Sequence, residues 1–347
     1  MIRGLVVGKF YPPHKGHAFL IDSARAQVDH LDVFVIYTAD QWIPGSLRAQ
    51  WVRERHPDCQ IHEVLDHGDD DNSQLWAELT RNRLGYAPDV VFSSESYGDS
   101  YAYYLGCRHV CVDPKRQNLS ISATQIRNDP WAHSHFMEPA VRAFFVRRIV
   151  LIGAESTGKT TLAQQLAQHY QTLWVPEYGR TLWEERLSRG LVSFENPNWV
   201  SDDFLHIVNQ QIQSENGLAR QASRLLICDT DPLATCVWHE RFLGFSRPDL
   251  YAKARNLPHD LYLLCTSDTP FVQDGTRDGE HIRHAMHQRF EQVLQAVNAP
   301  YSALIGSWQD RFTQATQAID ACLAKPWPAP NHTLSPHYPN LSKNIFI

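Results

Sequence analysis

Two histidines lie three positions apart in a loop near the start of the chain, Gly8-Lys9-Phe10-Tyr11-Pro12-Pro13-His14-Lys15-Gly16-His17. The loop follows an apolar run and precedes a helical pattern, which places both histidines at a predicted helix amino terminus. Free backbone N–H groups and a positive partial charge make such a terminus an anion site. The pattern predicts binding of nucleotide phosphates, and the candidate ATP-binding residues are Gly8, Lys9, Phe10, His14 and His17.

Two other interpretations of this histidine pair stay open. The His-x-x-His spacing can bind zinc, although no third ligand is indicated nearby, and two histidines can also simply lie at the surface. The position after a predicted strand, among prolines and a glycine, favours the phosphate site.

A second predicted helix start, from Ile121 to Arg127, carries polar side chains suited to phosphate. Ser122 and Thr124 are natural helix caps whose hydroxyls can donate to phosphate, and Arg127 can bind an oxyanion with two hydrogen bonds. These three residues are further candidates for ATP binding. Taken alone, the segment fits an ordinary helix cap with a solvated arginine better than a phosphate site.

The segment from Gly153 to Thr160 matches G-x-x-x-x-G-K-[ST], a P-loop, directly after the apolar run Ile149 to Ile152. In such a loop the backbone N–H groups hold phosphates, Lys159 reaches the β- and γ-oxygens, and the Thr160 hydroxyl binds Mg²⁺. The candidate nucleotide-binding residues are Gly153, Ala154, Glu155, Ser156, Thr157, Gly158, Lys159, Thr160 and Thr161.

Two later segments complete a set for phosphoryl transfer. Asp229 follows the apolar run Leu225 to Cys228 and is the candidate carboxylate for the metal, whereas Asp231 either contacts the acceptor or is a turn residue before Pro232. The polar, glycine-flanked loop from Gln273 to Gly279 is typical of a lid. Arg277 is its candidate catalytic arginine, and Arg283 is a second candidate.

A third group of candidates surrounds Glu177-Tyr178-Gly179-Arg180, after the short apolar run Leu173 to Val175. A carboxylate can accept hydrogen bonds from ribose, and an aromatic ring can stack on a flat cation. Glu177, Tyr178 and Arg180 are therefore candidate substrate-binding residues. His281, His284 and His287 recur every three residues, a spacing that drifts around a helix, so we interpret them as surface residues.

The elements that must position these residues alternate between buried strands and helices. Apolar runs include Leu5 to Val7, Leu31 to Tyr37 and Val90 to Phe92, and a second series begins at Arg147. This alternation predicts α/β architecture with two doubly wound parallel sheets, whose ligands bind at the carboxyl ends of the strands. We expect domains at residues 1–145 and 146–326, followed by a Pro-rich tail at 327–347.

The composition excludes several classes of protein. A chain of 347 residues with 43% hydrophobic residues can fill the cores of two domains. No apolar run long enough to span a membrane and no secretory signal are apparent. Seven cysteines without a C-x-x-C pair are typical of a reducing cytoplasm, and the net charge of −6 argues against nucleic acid as a partner.

The first domain resembles the nucleotidyltransferase superfamily, which is marked by a His-x-Gly-His loop and a later Ile-Ser-x-Thr-x-x-Arg segment. The resemblance implies that His14, His17 and Arg127 are catalytic and bind the phosphates of ATP. The attacking group in this family is already an anionic phosphate, so positioning and charge stabilisation suffice. Ala123 stands where glycine is common, which is a local departure from the pattern.

The whole arrangement resembles the bifunctional nicotinamide-nucleotide adenylyltransferase and ribosylnicotinamide kinase of the NadR type. The segments that carry it are Gly8 to His17, Ser93-Ser94-Glu95, Asp113 to Arg127, Gly153 to Thr161, Glu177 to Arg180, Asp229 to Asp231 and Asp274 to Arg277. The resemblance implies phosphorylation of nicotinamide riboside to its mononucleotide, catalysed by Lys159, Asp229 and Arg277, and then adenylyl transfer to give NAD. ATP and Mg²⁺ are the implied cosubstrate and metal.

The resemblance also implies partners and limits. Nicotinamide riboside, the mononucleotide and ATP are the expected ligands, a homo-oligomer is allowed, and a separate transporter is expected to supply the riboside. Some members carry an amino-terminal helix-turn-helix, but strand one begins close to Met1, so we expect no repressor activity. Two alternatives stay open: a fusion of the same two enzyme types that acts on another phosphorylated metabolite, and a sensor that binds NAD or ATP without turnover.

Overall fold

The computed structural model describes residues 1–66, 72–95, 97–113, 119–193, 196–255, 257, 259–268 and 282–327. Two compact units make up this part of the chain, from Met1 to Arg142 and from Ala143 to Pro326. Several predicted features lie outside the described residues: Lys115 and Arg116, the lid loop with Arg277, His281, and the tail from residue 328 onward.

The first unit alternates strands and helices around one parallel sheet. Its strands are β1 (Arg3–Gly8), β2 (His30–Tyr37), β3 (Gln60–Leu65), β4 (Val90–Ser93) and β5 (Arg108–Cys111), in the order β3-β2-β1-β4-β5. Its helices are α1 (Lys15–Arg25), α2 (Gly45–Arg55), α3 (Ser73–Leu84), α4 (Tyr97–Leu105), α5 (Ala123–Asn128) and α6 (Pro139–Phe144), with a 3-10 turn at Ser134–Phe136. All the strand pairs are parallel.

The second unit has the same kind of architecture. Its strands are β6 (Arg147–Ile152), β7 (Trp174–Val175), β8 (Leu225–Asp229), β9 (Leu261–Cys265) and β10 (Tyr301–Leu304), in the parallel order β10-β9-β6-β8-β7. Its helices are α7 (Lys159–His169), α8 (Tyr178–Ser188), α9 (Ser201–Ala219), α10 (Pro232–Leu243), α11 (Pro248–Arg255), α12 (Arg283–Ala296) and α13 (Trp308–Leu323).

The central strands are apolar because helices cover both faces of each sheet. Gly4 to Val7 of β1 and Arg148 to Ile152 of β6 are buried along their length. Side chains from the two faces of β1 enter separate clusters, with Val6 in one and Leu5 and Val7 in the other. The predicted fold of two doubly wound parallel sheets is confirmed, and it places Gly8 and Gly153 at the carboxyl ends of central strands.

Two further observations concern the chain's environment. Within the described ranges, no helix is both long and apolar enough to cross a membrane. All seven cysteines are free, and Cys228, Cys236, Cys265 and Cys322 are buried.

Candidate active sites

The two histidines of the first loop are locked into one geometry by the start of α1. His14 caps the helix and its Nδ1 accepts the N–H of Gly16 at 3.1 Å, while Nδ1 of His17 accepts the N–H of His14 at 3.2 Å. The two rings stack with centroids 3.8 Å apart. Because each Nδ1 accepts a hydrogen bond, a neutral ring carries its proton on Nε2. Both histidines thus offer Nε2–H donors to an anion.

Arg127 connects the segment from Ile121 to Arg127 with the histidine loop. One guanidinium nitrogen donates to the carbonyl of Tyr11, another donates to Oγ1 of Thr124 at 3.0 Å, and the group lies 4.4 Å from the Tyr11 ring centroid. Ser122 acts as the cap of α5, accepting the N–H of Gln125 at 3.2 Å. The structure therefore joins the histidine loop and Arg127, while Ser122 and Thr124 support that arrangement.

Other residues of the first loop have structural neighbours that sequence reasoning missed. Phe10 is buried, with φ of 45°, and its ring lies 4.9 Å from that of His17. Nζ of Lys9 lies 3.9 Å from the buried carboxylate of Asp66, just beyond β3. Gly8 ends β1, so the loop begins at the carboxyl edge of the sheet.

Arg48 is the other residue missed at this site. It is fully buried and donates to the carbonyl of Lys9 at 2.6 Å, to that of Ile36 at 3.3 Å and to Oε1 of Gln41 at 2.7 Å. Burial lowers the pKa of Arg48 to about 10. Its guanidinium therefore fixes the backbone of the phosphate loop from inside the unit.

A Ser–His–Asp arrangement follows β4. Oγ of Ser93 lies 2.9 Å from Nε2 of His109, and Nδ1 of His109 lies 2.7 Å from Asp99. Ser93 is buried, however, and a Cβ on Gly98 would stand 2.5 Å from its Oγ, so the backbone of α4 covers the hydroxyl. The arrangement supports the loop, since Ser93 donates to the carbonyl of Glu95 at 2.8 Å.

The P-loop connects β6 to α7 in the geometry that its sequence predicts. Gly153 has φ of 147°, and a Cβ there would stand 2.5 Å from the carbonyl oxygen of Cys265, so only glycine fits. Nζ of Lys159 donates to the carbonyl of Ala154 at 2.8 Å. The hydroxyl of Thr157 donates to the same carbonyl, also at 2.8 Å.

A candidate metal site lies beside the loop. Oγ1 of Thr160 donates to Oδ2 of Asp229 at 2.5 Å, and Oδ1 of Asp229 is buried without a hydrogen-bond partner among the described residues. A hydroxyl and a carboxylate are hard oxygen ligands that suit Mg²⁺, so these residues fit the ion. Burial raises the pKa of Asp229, against the lowering effect of Lys159.

A cavity of about 230 Å³ opens beside the P-loop. Five aromatic side chains line one part of it, and polar side chains line the part near the loop. The aromatic residues are Trp183, Trp199, Phe204, Trp238 and Phe242, and the polar ones include Glu155, Glu177, Arg180, Gln211 and Thr230. Burial, and next the charge of Asp229, raise the pKa of Glu177. The cavity suits a flat, positively charged ligand with hydroxyl groups.

Two predicted substrate residues stand apart from this cavity. Tyr178 is not among the residues that line the cavity. Its hydroxyl instead lies 3.1 Å from Nε2 of His206. Asp231 is fully buried, and it accepts the N–H of Ala234 at 2.8 Å and the hydroxyl of Tyr262 at 2.8 Å. Two interpretations of Asp231 were open, contact with the acceptor and a turn residue before Pro232. The geometry favours the turn residue over the acceptor contact, since Asp231 caps α10.

Buried arginines also support the P-loop. Arg311, on α13, donates to the carbonyls of Gly306 at 3.0 Å and Thr157 at 3.4 Å and pairs with Asp268. Arg283, at the start of α12, donates to the carbonyl of Ser156 at 3.3 Å. Sequence reasoning missed Arg311, whereas it had singled out Arg283 as an arginine of the lid.

Among the residues that the structure describes, potential metal ligands do not cluster in threes. Within the described ranges, no group of three histidine, cysteine, aspartate or glutamate side chains is placed to hold an ion. The zinc interpretation of His14 and His17 therefore gains no third ligand from this part of the chain.

Comparisons with known proteins identify relatives of this chain. Residues 148–311 match a family model described as an AAA domain. The trifunctional NAD biosynthesis/regulator protein NadR of Escherichia coli K12 is 30% identical over 299 residues, which cover 79% of this chain and 71% of that protein. The protein of the same name from Salmonella typhimurium LT2 is 29% identical over 297 residues, with the same shares covered.

Two solved structures share the fold over nearly the whole chain. A crystal structure of NadR protein in complex with NR superposes with a TM-score of 0.74 at 21% identity, covering 94% of this chain and 97% of that one. A second, of NadR protein in complex with NAD and AMP-PNP, gives a TM-score of 0.71 at 20% identity, covering 94% and 98%.

Proposed function

The chain belongs to the NadR family, and from that premise we propose how its two units divide the work of NAD biosynthesis. It is an enzyme that combines a P-loop kinase with an adenylyltransferase. The second unit phosphorylates nicotinamide riboside, and the first joins the resulting mononucleotide to AMP from ATP. The observation that supports this division is the presence of two loops suited to phosphate, one with His14 and His17 and the other with Lys159.

Phosphorylation of the riboside needs a base, because its 5′-hydroxyl is neutral. We assign this role to Glu177, which lines the cavity beside the P-loop and has a pKa raised by burial and by Asp229. The 5′-oxygen attacks the γ-phosphorus, its proton passes to Glu177, and the bond from that phosphorus to the leaving oxygen of ADP breaks. Lys159 stabilises the charge that spreads over the transferred group.

The aromatic part of the cavity holds the other end of the riboside. A pyridinium ring carries a positive charge and stacks favourably on indole or phenyl faces, and Trp199, Phe204 and Phe242 lie within ring-contact distance of one another. Thr160 and Asp229 would hold Mg²⁺, which would neutralise part of the phosphate charge. The role of Arg277 as the closing arginine stays a prediction from the sequence.

Adenylyl transfer proceeds without a base. A phosphate oxygen of the mononucleotide attacks the α-phosphorus of ATP, and pyrophosphate leaves. The Nε2–H groups of His14 and His17 and the guanidinium of Arg127 donate to the phosphoryl oxygens as their charge rises. Arg48 contributes by holding the carbonyl of Lys9 in place.

The same proposal covers the setting of the reaction. Seven free cysteines favour a reducing compartment, and we infer the cytoplasm, where ATP is available. Nicotinamide riboside would then arrive through a separate transporter. Assembly into a homo-oligomer stays a prediction.

One assay tests the two-step proposal. The purified chain is incubated with Mg-ATP and nicotinamide riboside, and the products are separated by chromatography over time. We expect the mononucleotide first and then NAD with pyrophosphate. Accumulation of mononucleotide without NAD would contradict the role of the first unit, and absence of any product, even from supplied mononucleotide, would contradict the acceptor.

A further inference from the structure

Two polar side chains of the kinase cavity have a buried atom without a hydrogen-bond partner among the described residues. Gln211 is 1% exposed with Nε2 unpartnered, and Thr230 is 4% exposed with Oγ1 unpartnered. Both residues line the cavity. Buried polar groups are almost always hydrogen-bonded, so such a pair in a ligand cavity points to groups on the ligand.

The orientation of the Gln211 amide is fixed by the backbone. Its Oε1 accepts the N–H of Tyr178 at 3.0 Å. Rotation of the amide by 180° would turn its NH₂ group toward that N–H and leave two donors facing each other. The NH₂ group is therefore the part presented to the cavity, and it requires an oxygen or another acceptor from the ligand.

Thr230 reaches the same cavity through a strained backbone. Its φ of 68° is rare for a β-branched residue, and its N–H is held by the carbonyl of Leu151 at 3.0 Å. The side chains on either side of Thr230 have hydrogen-bond partners, since Asp229 accepts from Thr160 and Asp231 caps α10. Strain of this kind clusters at ligand sites, and here it accompanies a hydroxyl on the cavity wall.

The position of the amide along the cavity identifies the part of the ligand that it meets. On α9, Phe204, Ile207 and Gln211 line the wall on successive turns, which spans about 10 Å from first to last. Phe204 lies in the aromatic part, with its ring 6.3 Å from that of Phe242. Gln211 lies at the opposite end, bonded to the residue after Glu177.

The opposite wall has the same order. On α10, Thr235 lies in the first turn, near Asp231, and Trp238 and Phe242 follow on later turns toward the aromatic part. If the base of a nucleoside stacks in the aromatic part and its 5′-carbon reaches the P-loop, its sugar lies toward the polar end of the cavity. Gln211 lies at that end.

We propose that Gln211 is a specificity residue that donates from Nε2 to a secondary hydroxyl of the acceptor's sugar, in the cavity that Thr230 also lines. This inference rests on the proposed kinase function and adds that the site selects ribosides over deoxyribosides. A site built to hydrogen-bond a substrate hydroxyl rejects analogues that lack it, because its own buried donor is then left unpaired.

The test compares nicotinamide riboside with its 2′-deoxy and 3′-deoxy analogues and with the riboside that lacks the carboxamide. Each is assayed for kcat/KM and, through quenching of the cavity tryptophans, for binding. Gln211→Met keeps the length of the side chain, removes the donor and adds no carboxylate that could accept from the sugar. Gln213→Met makes the same exchange on the exposed face of α9 and is the control.

For the unmodified chain we expect one deoxy analogue to lose about 10- to 100-fold in kcat/KM. Gln211→Met should lose a similar factor on the full riboside and no longer distinguish that analogue, whereas Gln213→Met should behave as the unmodified chain. If both deoxy analogues are used with the same kcat/KM as the full riboside, the inference is overturned. So would a loss confined to the riboside without the carboxamide, which would mean that the amide contacts the base.

The same experiment separates this inference from the proposed function. If no pyridine riboside is phosphorylated, the kinase function fails, and the fluorescence titration is repeated with adenosine and its 2′- and 3′-deoxy forms. Weaker binding of one deoxy form to the unmodified chain, but not to Gln211→Met, supports the role of Gln211 in that case. Equal binding of all three overturns it.

Discussion

The two units place a phosphate-binding loop at the same point of the same fold and build it from different groups. Each loop leaves the central strand of a five-stranded parallel sheet, at β1 in one unit and β6 in the other. The first site presents the imidazoles of His14 and His17 from the loop and the guanidinium of Arg127 from α5. The second presents backbone N–H groups and Lys159.

This difference follows the nucleophile that each proposed reaction uses. A phosphate attacks in the first unit, already charged, so donors to the phosphoryl oxygens at the reacting phosphorus suffice. A neutral hydroxyl attacks in the second, and there carboxylates lie beside the loop, with the pKa of Glu177 and of Asp229 raised by burial. The fold thus fixes where phosphate binds, and the neighbouring side chains decide which nucleophile can react.

The substitution with the largest expected effect on activity is at Lys159, in the loop of the second unit. Lys159→Ala should lower riboside phosphorylation by about 10³-fold or more, because the cation that contacts the transferred group is removed. Conversion of supplied mononucleotide to NAD should be unchanged, as measured by chromatography. Lys253→Ala, an exposed lysine of α11, is the control. Loss of both activities in the Lys159 variant would defeat the two-site model.

The reciprocal change is His17→Ala in the other loop. It removes one Nε2–H donor, so adenylyl transfer should fall by about 10²- to 10³-fold while riboside phosphorylation continues. Pyrophosphate release reports the first activity and ADP release the second. His135→Ala, an exposed histidine of the same unit, should change neither. A normal rate of NAD formation in the His17 variant would rule out its role at the phosphates.

The proposed base, Glu177, should give the two activities a different dependence on pH. Glu177→Gln should lower the rate of phosphorylation by about 10²- to 10⁴-fold. In the unmodified chain, kcat/KM should fall as pH drops through the raised pKa of Glu177, because the carboxylate is then protonated and cannot accept the proton. The glutamine variant should lose that acidic limb. Adenylyl transfer should keep its own pH profile in both proteins, and an unchanged acidic limb in the variant would exclude Glu177 as the base.

The smallest effects concern the two buried arginines behind the loops. Arg48→Lys and Arg311→Lys each remove hydrogen bonds to loop carbonyls, which we expect to raise the KM for ATP by about 10-fold in one activity only. Arg48→Lys should affect adenylyl transfer, and Arg311→Lys should affect phosphorylation. Initial rates over a range of ATP concentrations measure both. A change in both activities from one substitution would indicate general destabilisation instead.

The parts of the molecule that could be predicted from sequence are those set by local pattern. The P-loop and the histidine loop each join a strand to a helix, so residue type and spacing within about ten positions define them. The parallel sheets followed from apolar runs of strand length. Both kinds of signal need no knowledge of distant contacts.

The parts that sequence reasoning missed depend on contacts between distant segments. The aromatic wall of the cavity combines Trp183, Trp199, Phe204, Trp238 and Phe242 from α8, α9, α10 and a loop, and no local spacing links them. Arg48 and Arg311 read as surface residues, since arginine is seldom fully buried. Tyr178 belongs to the segment that was singled out, but tertiary packing turns its ring toward His206.

The acidic wall of the kinase cavity has a consequence for the end of the catalytic cycle. Glu155 and Glu177 line the space into which a positively charged riboside enters, and Asp229 lies beside it. Phosphorylation adds about 1.5 to 2 negative charges to that ligand at neutral pH. The carboxylates that attract the substrate therefore weaken binding of the product, while Lys159 and Arg180 of the same lining attract its new phosphate. Departure of the mononucleotide thus depends on the balance between these two pairs of charges.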